Sequence, residues 1–324
     1  MLYPFQFVPL FKERIWGGRN LAELFQKPLP PTGSFGESWE ISDRPGDVSQ
    51  IRNGPLAGKD LRWLMEHHGE ELMGGRKPAN ARFPLLVKIL DARDTLSLQV
   101  HPPAAKAAAL GGEPKTELWY VAAAEPGAEL YVGLRPRVTR SEFEKRIQDG
   151  TVADCFHRIQ VKKGDTMFLP SGRVHALGKG LVIFEIQQNS DTTYRVFDWN
   201  RVGADGKPRD LHVAQSLQSI DFSDFEPGLA GKPPVADATG SRQELIHDPL
   251  FDVDLHHLDR GSKPLAGGCM TILGVTEGSL SVQTNATTLS LVAGDFCLVP
   301  ASVTDARVSP VKGKCSFLHV HCAH

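Results

Sequence analysis

The chain lacks any apolar run long enough to cross a bilayer. Its strongest stretches, around Leu85 to Leu90 and Leu181 to Ile186, fall far short of the roughly 18 to 20 residues a membrane helix needs. It also lacks an excess of one charge: 36 lysines and arginines stand against 38 aspartates and glutamates. No overall field therefore attracts nucleic acid or an anionic membrane, although a single pocket can still be basic. The five cysteines, Cys155, Cys269, Cys297, Cys315 and Cys322, are odd in number and contain no C-x-x-C pair. That argues against a disulfide framework and a thiolate zinc site, and leaves them as small, mostly buried side chains. The start, Met1-Leu2-Tyr3-Pro4-Phe5, has no basic region and the first lysine is Lys12, so no secretory signal is expected and the cytoplasm is the expected compartment. Gly17-Gly18 lacks the Gly-Lys-Ser/Thr ending of a phosphate loop.

What is present is an ordinary globular composition. The 324 residues suffice for about two domains, and 41% hydrophobic with 23% charged residues exclude wholesale disorder and a coiled coil. Thirty-one glycines and 23 prolines, spread along the chain, cut it into the short segments of an all-β sandwich or barrel. Helices are expected at three places. Asp60 to Met73 carries Leu61, Leu64, Met65, His68 and Leu72 on one stripe; Ser141 with Glu144 offers a capping box before Ile147; and Leu211 to Ile220 follows the turn-rich Gly203-Ala204-Asp205-Gly206-Lys207-Pro208. The stretch Glu226 to Gly240, rich in proline, glycine and alanine, has neither hydrophobic period and reads as a domain boundary. A repeat crosses it. Gly164-Asp165-Thr166-Met167-Phe168-Leu169-Pro170-Ser171 and Gly294-Asp295-Phe296-Cys297-Leu298-Val299-Pro300-Ala301 share G-D-x-x-x-[LV]-P-[SA], and 164 to 294 is an offset of 130. Physically this is a hairpin turn, a short strand and a proline at the rim, as at a corner of a double-sheet jelly roll.

The first copy continues to His175, giving G-x5-P-x-G-x2-H, a spacing that resembles the second motif of the cupin superfamily, whose histidine points into the barrel as a metal ligand. The second copy has Asp305 at that offset, so the terminal barrel is expected to have lost that ligand. Upstream, Leu96-Ser97-Leu98-Gln99-Val100-His101 alternates, which puts Ser97, Gln99 and His101 on one face of a strand. Lys115-Thr116-Glu117-Leu118-Trp119-Tyr120 reads as a strand start that aims Lys115 and Glu117 to one side. With His175, these supply two imidazoles, a carboxylate and an amide oxygen, a set suited to Zn²⁺ with positions left open.

Six ordered motifs then resemble the type I mannose-6-phosphate isomerase family in its short bacterial form. They are Phe83-Pro84-Leu85-Leu86-Val87-Lys88, Leu96 to Pro102, Lys115 to Tyr120, Pro170-Ser171-Gly172-Arg173-Val174-His175-Ala176, Glu185 to Arg195, and Gly206-Lys207-Pro208-Arg209. The resemblance runs from about Pro9 to Phe222. It implies two cupin (double-stranded β-helix, jelly-roll) barrels with short helical insertions, and an isomerase that interconverts mannose 6-phosphate and fructose 6-phosphate through an enediolate. It implies one Zn²⁺ per chain on Gln99, His101, Glu117 and His175, and catalytic roles for Arg195, Lys115, Asp191 and Glu185. It also sets Lys88, Ser97 and Arg201 near the phosphate. The expected domains are a catalytic cupin over 1–228 with helices near 58–74, 140–150 and 210–220, a linker over 229–240, and a C-terminal cupin without metal over 241–324.

The chemistry agrees with the residue types. Moving a carbonyl between adjacent sugar carbons requires loss of a carbon-bound proton and stabilisation of an oxyanion. With Glu117 the one charged ligand, zinc keeps about one net positive charge. Lys115, Lys88, Glu185 and a zinc-bound hydroxide are all eligible bases, and a lysine base would need nearby cations to lower its pKa. Blander readings exist: Lys88 pairing with Asp91, Gln99 as an outer donor, and an Arg195–Asp191 ion pair at a turn. His319-Val320-His321 would place both imidazoles on one strand face but has no obvious carboxylate partner, and His67-His68 and His256-His257 read as solvated. Two rival functions share the ligand types, an iron-dependent cupin oxygenase and a non-catalytic sugar-binding cupin. The expected partner is a small sugar phosphate, with no nucleic acid and no membrane, and monomer and homodimer are both open.

Overall fold

The structure, a computed structural model, describes residues 1–75, 78, 80–202 and 206–321. Its first half contains β1 (Leu10–Gly18), β2 (Phe35–Ile41), β3 (Asp43–Arg44), β4 (Asp47–Val48), β5 (Leu85–Ala92), β6 (Leu98–Val100), β7 (Glu117–Ala124), β8 (Glu129–Leu134), β9 (Phe156–Gln160), β10 (Thr166–Leu169), β11 (His175–Leu177), β12 (Leu181–Gln188) and β13 (Tyr194–Phe197). The second half contains β14 (Val235–Asp237), β15 (Gly240–His247), β16 (Asp252–Leu258), β17 (Lys263–Pro264), β18 (Thr271–Glu277), β19 (Ser279–Gln283), β20 (Thr288–Val292), β21 (Phe296–Val299), β22 (Arg307–Pro310) and β23 (Cys315–His321). The α-helices are α1 (Asn20–Phe25), α2 (Leu61–Met73), α3 (Ala104–Ala107), α4 (Arg140–Gln148) and α5 (Val213–Ser219). The fold is mainly β, as the density of turn residues requires, and none of its helices among the described residues is long and apolar enough to cross a membrane.

The strand order shows why the motif recurs. The first unit pairs a sheet β1-β2-β5-β12-β7-β10 with a sheet β13-β6-β11-β8-β9; the second pairs β14-β15-β16-β23-β18-β21 with β17-β22-β19-β20. The large sheets correspond strand for strand, and the repeated G-D-x-x-x-[LV]-P segment forms β10 in one and β21 in the other. Val235–Asp237, inside the stretch read as a linker, forms the edge strand β14.

Strand alternation distributes the core. On β5, β7 and β12 the side chains Val87, Ile89, Leu118, Tyr120, Phe184 and Ile186 face one way and join Val253, Leu255, Ile272, Phe296, Leu298, Leu318 and Val320 of the second unit in one apolar cluster. The large sheets thus pack back to back. Phe184 sits at the junction, with ring centroids 5.4 Å from Phe25 and 5.2 Å from Phe296. The N-terminal segment crosses to the second unit through Phe5 and Leu298, which exchange backbone hydrogen bonds of 2.8 and 2.9 Å. The opposite faces of the same strands point into the barrels, so residues at odd spacing from the junction residues line the interior.

The helices depart from expectation in detail. Asp60 caps α2 by accepting from Trp63 N at 2.7 Å, and Leu61, Leu64 and Leu72 are buried as the stripe predicts. His68, by contrast, lies at a kink and is only half-buried. The cap of α4 is Thr139, whose hydroxyl accepts from Glu142 N at 3.2 Å, two residues before the Ser141–Glu144 frame. Both frames have the same letters, and the one nearer the preceding loop is used. Of the turn read over 203–208, residues 203–205 lie outside the described residues, as does Cys322.

Candidate metal centre and cavity

The inward row of the first barrel is unusually polar. Lys88 on β5, Glu185 on β12 and Trp119 on β7 are in register across three adjacent strands, and Gln187 stands opposite Glu117. From the facing sheet, Gln99 on β6 is in register with His175 on β11, and His101 follows β6. The two sheets therefore bring Glu117, His101 and His175 to one buried point, where one ligand atom from each lies within 4.8 Å of the others. All three are at most 1% exposed.

Hydrogen bonds orient both rings. His101 Nδ1 lies 2.8 Å from Thr192 O and His175 Nδ1 lies 2.9 Å from Arg173 O, so each ring donates from Nδ1 and turns the lone pair of Nε2 inward. Burial, reinforced by Lys115, holds the His101 pKa down to about 3, so its ring is neutral. Glu117 Oε1 has no hydrogen-bond donor and faces His175 Nε2 at 3.2 Å and His101 Nε2 at 3.6 Å. A buried carboxylate oxygen left without a donor, with two imidazole Nε2 lone pairs turned toward it, fits a cation better than a closed hydrogen-bond network. Gln99 presents its amide nitrogen to His175 Nε2 at 3.3 Å, so the amide must turn over to offer its oxygen to an ion. Trp119 meets the His175 ring edge-on at 5.2 Å and donates from Nε1 to Glu185 Oε2 at 2.7 Å.

Around this point runs a chain of buried charges. Lys115 hydrogen-bonds Glu117 and stands 3.2 Å from His101 Nε2 and 3.9 Å from Glu185. Burial pushes its pKa down, but Glu117 and Glu185 outweigh that and the net shift is upward. For Glu185, burial dominates over the attraction of Lys115 and Lys88, and its pKa is raised. Lys88 lies 3.4 Å from Glu185 and 4.0 Å from Glu37, and its ammonium sits 4.9 Å over the Trp39 ring. It does not pair with Asp91, which accepts from Asn20 N and Nδ2 at 2.7 and 3.0 Å.

The chain of charges opens onto a cavity of about 510 Å³, of a size for a small metabolite. Its walls include Lys88, Ser97, Gln99, Lys115, Glu185, Asp191 and Arg195, together with Glu13, Arg14, Glu37 and Arg209. Five of these are cations: Arg14, Lys88, Lys115, Arg195 and Arg209. Arg195 donates to Asp210 O at 2.8 Å, while its buried Nε has no partner among the described residues; burial, then Arg209, lowers its pKa. Asp191 is exposed at the rim, and no Arg195–Asp191 ion pair forms among the described residues. A larger hollow of about 960 Å³ beside α2 is lined by exposed and half-buried groups such as Met65, His67 and Glu70, and none of the buried charges faces it.

Arg201 is not on the cavity wall. Its guanidinium bonds Asp198 at 2.6 Å and Thr95 O at 2.6 Å, and the same Asp198 binds Arg209 at 2.7 and 2.5 Å. Arg209, in the recognised Gly206-Lys207-Pro208-Arg209 segment but given no role there, is the one that reaches the cavity. Glu37, Arg14 and Trp39 were also not anticipated: Glu37 accepts from Arg14 Nε at 2.7 Å and Trp39 Nε1 at 2.6 Å. Their signal was the Glu37/Trp39 alternation in Phe35–Ile41, masked because every residue of β2 is buried. His256, read as solvated, is 3% exposed and stacks on Phe317 at 5.2 Å. His67 and His68 lie on helix α2, where His67 is exposed and His68 half-buried.

Comparison with known proteins gives a consistent picture. The profile of the phosphomannose isomerase type I catalytic domain matches residues 5–118. Mannose-6-phosphate isomerase ManA of Bacillus subtilis (strain 168) is 42% identical over 316 residues, covering 94% of this chain and 95% of that protein. A solved mannose 6-phosphate isomerase from Bacillus subtilis, 33% identical, superposes with a TM-score of 0.89 over 99% of this chain and 100% of the other. A mannose 6-phosphate isomerase solved bound with zinc and yttrium shares the fold at a TM-score of 0.77 over the full length of both chains, at 17% identity.

Proposed function

The chain belongs to the type I phosphomannose isomerase family and is an aldose-ketose isomerase, and on that premise we propose that it interconverts D-mannose 6-phosphate and D-fructose 6-phosphate in the 510 Å³ cavity. The observation that carries the reading is the meeting of His101 Nε2, His175 Nε2 and Glu117 Oε1 beside a wall with five cations. These three, with Gln99 once its amide is turned, would hold one zinc ion. The N, N, O donor set suits zinc and leaves room for substrate oxygen. When bound, that ion would polarise the sugar carbonyl and stabilise negative charge on its oxygen.

The remaining work falls to the chain's own residues. A sugar phosphate brings a dianion, and Arg195 and Arg209 offer planar forks that bind phosphate or sugar oxygens from the wall. Lys88 and Ser97 line the same hollow and contact the substrate's oxygens there. Arg201 acts at one remove: it fixes Asp198, and Asp198 fixes Arg209. The proton that moves between neighbouring carbons, by way of an enediolate, needs a group that accepts and returns it. Lys115, Glu185 and Lys88 are titratable groups on the wall that form a chain starting 3.2 Å from His101 Nε2 at Lys115. Glu185 is held on one side by Trp119 and on the other by Lys88, which fixes its orientation toward Lys115. Asp191 at the rim adds a negative charge that supports the ammonium of Lys115. In this reading residues 1–228 form the catalytic unit and a second barrel follows the segment 229–240, whose Val235–Asp237 already serves as that barrel's edge strand.

The test is a coupled assay for fructose 6-phosphate formed from mannose 6-phosphate, run before and after chelation and again after zinc is restored. Activity should vanish and return. A preparation that binds the sugar phosphate without turning it over, or consumes oxygen with iron, would overturn the reading.

A further inference from the structure

The second barrel has lost the first barrel's metal residues. Asp305, at the offset of His175, is exposed and accepts from Asn285 N at 2.7 Å, and Thr271 stands in register with β21 as Glu117 does with β10. A different polar row replaces them. In the first barrel the central strands β5 and β12 carry Lys88 and Glu185 in register; in the second, the corresponding β16 and β23 carry Asp254 and His319. Two residues along, and therefore on the same face, His321 stands opposite Asp252. The carboxylate that the spacing His319-x-His321 does not reveal is thus supplied across the strand pair.

We propose that Asp254, His319 and His321 form a second divalent-cation site, of zinc or an equally borderline ion, in the interior of the C-terminal barrel and independent of the isomerase centre. One ligand atom from each lies within 4.8 Å of the others. Two imidazoles and a carboxylate suit zinc and leave a coordination position open. Outer groups stand beside the ligands: Arg242 Nε holds Asp254 Oδ2 at 2.9 Å, and Asp252 Oδ2, 3.6 Å from His321 Nδ1, is at ion-pair rather than hydrogen-bond distance and would close on the ring once a metal orders it. Access exists, because a hollow of about 270 Å³ reaches all three side chains. Three protein donors stand here against four, Gln99 included, at the Glu117 centre, and Arg242 already pairs with Asp254, so this site binds more weakly.

The test counts zinc on the full-length protein, stripped with a chelator and dialysed against Zn²⁺. Wild type should bind two equivalents per chain. His319→Ala should bind one and keep its isomerase activity, whereas His101→Ala should keep the weaker equivalent and lose the tighter one. If His319→Ala fails to fold by circular dichroism, His321→Asn, at a half-buried position, gives the same reading. Asp252→Asn should weaken the second equivalent by about 10- to 100-fold. A wild type that binds one equivalent unaffected by His319→Ala, or a second equivalent that survives both histidine substitutions, overturns the proposal.

Discussion

Removing the ammonium of Lys115 separates the electrostatic part of this account from the rest. Lys115 is 4% exposed, hydrogen-bonds Glu117 and lies 3.9 Å from Glu185. Lys115→Met keeps the side chain's length and deletes its charge, leaving two buried carboxylates with Lys88, 3.4 Å from Glu185, as the nearest compensating lysine. Breaking a buried ion pair from one side costs about 3 to 5 kcal/mol. At roughly 2 °C per kcal/mol for a long chain, the metal-free variant should melt about 6 to 10 °C below metal-free wild type. The ammonium also competes with a cation for Glu117, so zinc should raise the variant's Tm by more than it raises the wild type's, as linkage requires of a tighter ligand. Lys115→Arg keeps the charge and should keep most of the stability, yet both variants should lose about 100-fold or more in kcat if Lys115 carries the proton. Calorimetry on stripped and reloaded protein, with steady-state kinetics, reads all three effects. A metal-free Lys115→Met as stable as wild type, with an equal gain from zinc, refutes the coupling of Lys115 to the metal centre.

Arg209→Ala should raise KM about 10- to 100-fold, the loss of a charged hydrogen bond to substrate, and Arg201→Ala should raise it less; the reverse order in steady-state kinetics would return Arg201 to the substrate. Glu37 gives a pH signature. Burial pushes its pKa up, but Lys88 and Arg14, with hydrogen bonds from Trp39 and Arg14, outweigh that and hold it below 4.5. Its contribution is therefore full above the unfolded value and lost as pH falls through the lower folded one, so Glu37→Gln should be destabilised at pH 7 and the gap to wild type should close on acidification. A gap in Tm that stays constant down to pH 3 would sink this. Cys155 and Cys315, pushed up to about 11 by burial, should resist iodoacetamide in the native protein at pH 8 and react on unfolding, as read by peptide mass spectrometry.

The candidates Gln99, His101 and Glu117 were legible because a strand's period of two fixes which side chains share a face, and His175 because the spacing G-x5-P-x-G-x2-H resembles a known motif. The recurrence of the barrel was legible for the same local reason, since the Gly-Asp turn and rim proline mark one corner in each unit. What was not legible depends on register between distant strands. Nothing along the chain distinguishes Arg201 from Arg209 until Asp198 is seen binding both. Glu37 meets the site through β2, where buried residues follow one another without alternation, and Arg14 through β1, most of whose residues are half-buried or exposed, so neither segment marks an inward face. Asp254 comes beside His319 through the β16–β23 pairing, across 65 residues of chain (319 − 254), and His256 is buried by that same pairing.

The central claim is tested most directly by an anomalous difference map, collected on either side of the zinc edge, from crystals of the active protein. The account predicts a peak between His101, His175 and Glu117, at about 2.0 to 2.2 Å from the two Nε2 atoms and a Glu117 oxygen. Full isomerase activity in crystals that show no density peak at that point would contradict it.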